Sequence, residues 1–136
     1  MIFHHFQKIT IIKSRVPVHK DLNEELQFFG NSLGLFSLRD KDKSCFRIFI
    51  ELLKATKKNN PLTSDEIADK LKLSRGTVVH HINRLMESGI VVNQKNRYML
   101  RVDNLEILIE ELEKDIKRNL EDLRSIAGDI DKRLGL

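Results

Sequence analysis

Cysteine is nearly absent from this chain: Cys45 is the only one in 136 residues. An internal disulfide is therefore excluded, and cysteine usage gives no sign of an oxidising compartment. No apolar run is long enough to cross a membrane. The first residues, MIFHHFQKITIIK, lack the uninterrupted apolar segment and small-residue cleavage site of a signal peptide. A cytoplasmic location away from any membrane is the expectation. A glycine-rich phosphate loop, a nucleophile with a local base and a metal-ligand cluster are missing as well. No catalytic residue and no cofactor can be assigned, and an enzyme is not expected.

Charge is plentiful, at 32% of residues with a net +4. Its distribution is uneven: residues 1–60 hold 11 Lys/Arg against 6 Asp/Glu, residues 61–101 hold 7 against 4, and residues 102–136 hold 6 against 10. A basic body with an acidic tail suits a polyanion-binding domain whose tail points away from the polyanion. Three parts are expected: an N-terminal extension over 1–40, a central domain over 41–101 and a C-terminal helix over 102–136.

The β-branched stretch QKITIIKSRVPV (7–18) predicts an edge strand, with Pro17 keeping it out of a sheet interior. Asp21 and Glu24 then have capping-box spacing, and Leu22, Leu26, Phe29 and Leu33 share one helical face. Gly34 is expected to end that helix. No function is legible in this extension. In DKDKSCFRIFIELLKATKKNN, Asp42 is the expected cap and Phe46, Phe49, Ile50 and Leu53 the apolar face, with the helix stopped before Pro61. Cys45 reads as a buried, unreactive thiol.

The stretch Leu62–Arg101 is the most informative. Thr63 and Glu66 form a second capping box opening a helix through Lys72, with Ile67, Ala68 and Leu71 inward and Leu73 plugging the turn. Ser74 caps the next helix, whose Val78, Ile82 and Leu85 face inward and which Gly89 ends. This order is a helix-turn-helix. Its outward residues are Arg75, Gly76, Val79, His80, Asn83 and Arg84. Arg75 suits guanine, Asn83 adenine and Val79 a thymine methyl, while Ser74 and Thr77 suit phosphate and His80 suits either task. Ile90–Val92 and Arg97–Arg101 follow as two β-prone runs around the polar turn Asn93–Asn96. Lys95 and Arg97 give that hairpin the basic tip a wing needs.

The segment LTSDEIADKLKLSRGTVVHHINRLMESGIV resembles the winged-helix core of ArsR-like winged helix-turn-helix transcriptional regulators of prokaryotes, archaeal ones included. The resemblance is carried by Leu73, Ser74, Thr77, Val78, His80, His81, Ile82, Leu85, Gly89 and Ile90. It implies DNA contacts at Ser74, Arg75, Gly76, Val79, His80 and Asn83, and covers about sixty residues, from Asp42 to the wing. Metal-sensing members carry paired cysteines on an early helix or Asp/His sets on the terminal one, and this chain has neither. His80 and His81 diverge by about 100° on a helix and do not chelate one ion, while nothing completes a tetrahedral set around His4 and His5. No metal site is expected.

From the cap Asn104 to Leu134 a single proline-free helix is expected. Its stripe, Leu105, Ile109, Leu112, Ile116, Leu120, Leu123, Ala127, Ile130 and Leu134, is near-heptad with one stutter. Such a stripe pairs with another copy or folds onto the body, and an intermolecular coiled coil is the favoured reading. Gly128 is its weak point.

The expected fold class is therefore mainly α with a small β-hairpin wing: a winged helix-turn-helix plus a long C-terminal dimerisation helix. The expected function is a homodimeric, sequence-specific regulator of transcription, in the first place a repressor, reading an inverted repeat in double-stranded DNA through helix 75–87. Two other readings stay open: a protein-interaction winged-helix subunit of a transcription or chromosome-organising complex, and a non-specific architectural DNA binder. Operator, regulated genes and small-molecule effector are not legible.

Overall fold

The structure is a computed structural model that describes residues 6–18, 21–37, 40 and 42–136. Five helices and one hairpin follow in order: α1 (Leu22–Ser32), α2 (Ser44–Lys57), α3 (Ser64–Leu71), α4 (Arg75–Ser88), β1 (Val91–Gln94), β2 (Arg97–Leu100) and α5 (Leu105–Leu134). This is the expected winged helix-turn-helix with a long terminal helix.

Alternating burial makes α2 the central pillar. Ile48, Phe49 and Leu52 are completely buried. They meet Ile67 of α3, Val78, Ile82 and Leu85 of α4, Val91 and Leu100 of the hairpin, and Leu108 and Leu112 of α5 in one core. Each such side chain contributes about 1.5–3 kcal/mol by leaving water. The buried stripe of α2 is Cys45, Ile48, Phe49, Leu52 and Ala55, which is rotated from the expected one. Of the four residues anticipated, only Phe49 is fully buried, while Phe46, Ile50 and Leu53 are half-buried. The reason is that α2 is covered on two sides, so both stripes are apolar and periodicity alone does not rank them. The second stripe meets the N-terminal extension: the Phe46 ring lies 4.7 Å from that of Phe36, and Phe29 stacks on Phe49 at 6.1 Å. Gly30 permits this approach, because a Cβ there would stand 2.7 Å from the Phe46 ring.

Two helix starts differ in an instructive way. Asp21 caps α1 through the Glu24 amide, as its local spacing foretold. Asp42 does not cap α2. Lys43 occupies the cap position in a left-handed conformation without a side-chain bond. Asp40 reaches across instead, its two oxygens accepting from the Ser44 and Cys45 amides at 3.0 and 2.9 Å.

The expected strand at 7–18 is absent: among the described residues 6–18 there is only irregular extended chain. The sheet holds only β1 and β2, and no described residue of 6–18 pairs with either. The amides of this stretch are instead used singly, Lys8 donating to the Glu87 carbonyl and Ile12 to that of Ser32. The hairpin itself pairs Val91 with Leu100 through Gln94 with Arg97. Its turn is tighter than expected, just Lys95 and Asn96, both left-handed, which suits the twist of a two-residue loop. Leu62 adds a short bridge to Tyr98 on the other side, exchanging bonds of 3.1 and 2.7 Å.

Asn104 caps α5 through the Ile107 amide at 2.9 Å, and the helix runs unbroken past Gly128. Its stripe divides. Leu108 and Leu112 are buried in the chain's own core, so Leu112 is not available to a second chain and Leu108 takes a place the expected seam omitted. Leu105 and Ile116 are half-buried and Ile109 is partly exposed. Beyond them Leu120, Leu123, Ala127, Ile130 and Leu134 are all exposed, together with Ile126.

Candidate nucleic-acid interface

The reading unit is built from two short-range devices. Thr63 Oγ1 accepts from the Glu66 amide, and Glu66 Oε1 accepts from the Thr63 amide, each at 3.1 Å. This reciprocal box fixes the start of α3. Lys72 then turns the chain in a left-handed conformation, and Leu73 fills the corner. Ser74 caps α4 by accepting from the Thr77 amide at 3.1 Å, and Gly89, at φ +87°, closes its other end. Such a cap is worth about 1 kcal/mol.

Burial divides α4 cleanly. Val78, Ile82 and Leu85 are no more than 1% exposed. Ser74, Arg75, Gly76, Val79, His80, Asn83 and Arg84 are exposed, while Thr77 is half-buried. Seven of the eight positions expected to touch DNA from this helix and its cap therefore share its solvent side. Gly76 faces open space, since a Cβ there would meet nothing within 4 Å. The Ser74 hydroxyl donates to Thr77 Oγ1 at 2.8 Å, so Ser74 must give up that bond to donate to a phosphate, whereas the Thr77 proton is still available. Arg75 is anchored loosely, its Nε lying 3.5 Å from Asp65 with both side chains exposed.

The two wing cations part company. Lys95 sits at the exposed tip. Arg97, in the pair that closes the turn, reaches back to α3 instead, its Nη1 donating to Glu66 Oε1 at 2.9 Å and to the Pro61 carbonyl at 3.2 Å. The amide and hydroxyl of Thr63, with Arg97, hold the Glu66 carboxyl below its ordinary range. Arg97 is thus a brace between wing and α3, half-exposed, rather than a free cation at the tip.

Behind the reading face lies a polar contact that spacing did not announce. His81 is 6% exposed. Its Nε2 stands 3.8 Å from Asp40 Oδ2, and its Nδ1 has no protein partner. Burial lowers the pKa of His81, helped by His80 and Arg84 and opposed by Asp40. Burial also acts to raise that of Asp40, but the Cys45 and Ser44 amides and His81 outweigh it and leave it lowered. Asp40 therefore joins the start of α2 to the middle of α4. The neighbouring thiol of Cys45 is pushed up to about 11 by burial, which accords with an inert group.

A second buried cluster ties the wing to α5. Asp115, whose side chain is 1% exposed, accepts from Arg101 at 2.6 Å, from Gln7 at 2.9 Å and from Arg118 at 2.5 Å. Gln7 also donates to the Ser88 carbonyl at 3.2 Å. Burial acts to raise the Asp115 pKa, but Arg101, Gln7 and Arg118 together leave it lowered. Neither Arg101 nor Asp115 stood out in the sequence. The only trace was an acidic residue one turn past Leu112, on the inward side of an amphipathic helix. No group of three or more His, Cys, Asp or Glu among the described residues is placed to hold a metal ion, and no helix there is long and apolar enough to cross a membrane.

Residues 50–92 match the family described as winged helix-turn-helix DNA-binding. The matched segment runs from the middle of α2 through α3 and α4 into β1. It includes the whole exposed face of α4 but stops before the wing tip and α5. No curated protein and no solved structure matches the chain. Fold and matched segment agree on a winged helix-turn-helix, and they support double-stranded DNA as its partner.

Proposed function

We propose that the chain is a homodimeric, sequence-specific transcriptional regulator, a repressor that occludes promoters by reading an inverted repeat with α4. The exposed face of α4 carries this reading. Arg75, Val79, His80, Asn83 and Arg84 stand in solvent on a helix whose opposite side is sealed in the core. Those residue types supply bidentate donors, a methyl contact and phosphate ligands at the part of a recognition helix that reaches base edges. Lys95 at the wing tip adds a backbone contact beside the groove. Among the described residues the exposed cations of this face make one ion pair, Arg75–Asp65 at 3.5 Å, which is weak at such exposure.

The dimer rests on α5. Leu120, Leu123, Ile126, Ile130 and Leu134 are each about half exposed or more. A stripe of this size in water is stabilised by a second copy. Two-fold pairing sets the reading helices about one duplex turn, roughly 34 Å, apart. Selection of bound sequences from a random duplex pool with the purified protein tests both claims. The expected product is a palindrome with half-sites one turn apart. Equal affinity for all sequences at fixed salt would leave only a non-specific binder.

A further inference from the structure

A cleft of about 970 Å³ opens between α1, α2 and the start of α5. We infer that it binds a small anionic amphiphile and that its occupancy is passed to the wing. Its apolar wall comes from Leu26, Ile50, Leu53 and Leu105, all half-buried. This is the second stripe of α2, the one α1 covers incompletely. Mostly apolar clefts of this size with a few polar groups at the edge are the usual form of small-molecule sites.

The lining charges indicate the ligand's head. Lys54 and Lys57 stand against one carboxylate, Asp103. Lys54 leans towards Glu51 at 3.7 Å, a loose contact at an exposed amine, and Lys57 makes no ion pair among the described residues. An apolar body with a carboxylate head therefore complements the cleft, with the body against the leucines and the head at the lysines. A second copy of the chain is the weaker candidate for this place. Ile109, one turn beyond Leu105, is 41% exposed, but the unbroken exposed stripe offered for self-association begins only at Leu120, fifteen residues beyond Leu105 and about 22 Å along the helix.

The cleft touches the parts that position the reading unit. Thr56 forms one wall. Its hydroxyl donates to the Leu52 carbonyl at 2.9 Å and accepts from the Leu100 amide at 3.1 Å. Leu100 is paired with Val91 at the base of the wing. Asn104, the cap of α5, forms another wall. A ligand seated here bears on the residue that anchors the wing and on the one that starts the dimer helix, and it shifts DNA affinity only by favouring one arrangement of these. This consequence rests on the DNA-binding reading; the binding itself does not.

Decanoate is the probe and decanol its uncharged control, titrated calorimetrically into the full chain without DNA. Saturable binding of one decanoate per chain is expected, with decanol at least tenfold weaker. Lys57→Gln should weaken decanoate about tenfold with an unchanged circular dichroism spectrum, and Ile50→Trp should fill the cleft and abolish binding. In a second arm decanoate should shift duplex affinity at least fivefold in wild type. Thr56→Val should lose that shift, and Thr56→Ser, which keeps the hydroxyl, should retain it. Absence of saturable binding to the folded wild type overturns the site, as does equal binding of decanol. Conversion of Ile50→Trp to a monomer without any decanoate binding to wild type would assign the cleft to a second copy and overturn it too. Decanoate binding with no change in duplex affinity overturns the transmission to the wing. A chain that binds decanoate as expected but no duplex at low salt keeps the site and loses the regulator.

Discussion

Burying His81 beside Asp40 makes the fold sensitive to mild acid. Burial lowers the histidine's pKa below its ordinary 6.5, so the unfolded chain takes up a proton that the folded chain resists. The stability this supports is complete above pH 6.5 and declines as pH falls through that value towards the lowered one. Urea unfolding midpoints should therefore drop between pH 7.5 and 5.5, and His81→Gln should flatten the drop whatever it does to the midpoint itself. Asp115 acts in a different window. Its lowered pKa means a contribution complete above the ordinary 3.8 and lost as pH falls through the folded value. Asp115→Asn removes the buried carboxylate to which Arg101, itself 10% exposed, donates. Breaking a buried pair from one side costs about 3–5 kcal/mol, so thermal unfolding should show a loss near the low end, with Arg118 already in solvent. Neither group was legible beforehand. His81 belonged to a sequence pattern, but nothing local said that an aspartate forty-one positions earlier would face it.

Helix ends and turns were the most legible features, because their chemistry closes within four residues. The Thr63–Glu66 box, Ser74, Gly89 and Asn104 stand where spacing placed them. Failures came where the partner was not the one the usual spacing offers: Asp40, four and five residues before the amides it caps, replaced Asp42, and residues 6–18 found two isolated carbonyls instead of a sheet edge. Arg97 shows the same limit, since its basic charge was visible but its bond to Glu66 on α3 was not. The elements therefore separate two kinds of contact. On the proposed reading, Arg75→Ala on α4 should change base preference at one position and cost about 1–3 kcal/mol on the preferred site. Lys95→Ala at the wing tip should weaken all sequences alike and reduce the slope of log affinity against log salt by about 0.9. Arg97→Ala should differ from both, lowering thermal stability as well as affinity, because it unties the wing from α3. Affinity measured across four salt concentrations on preferred and scrambled duplexes distinguishes the three.

The molecule as a whole is divided along α5. Its first half belongs to the body: Leu108 and Leu112 complete the core, and Asp115 holds Gln7 and Arg101. From Leu120 onwards the apolar stripe finds no cover among the described residues. An acidic, amphipathic helix was evident from its periodicity, but the point where it changes from core to free surface was not, since the spacing is the same on both sides. Removing residues 119–136 tests what the free half does, because every buried contact of α5 among the described residues lies before that cut. The shortened chain should unfold with nearly the same midpoint as the full one. On the proposed dimer, sedimentation should find it monomeric at concentrations where the full chain pairs. Its affinity for a two-half-site duplex should fall by about 10²-fold or more, the gain that linking two reading heads supplies, while its affinity for a single half-site stays unchanged. A full chain that is monomeric, or a shortened chain that still pairs, would show that the stripe is not the seam and that the inverted-repeat reading lacks its geometric basis.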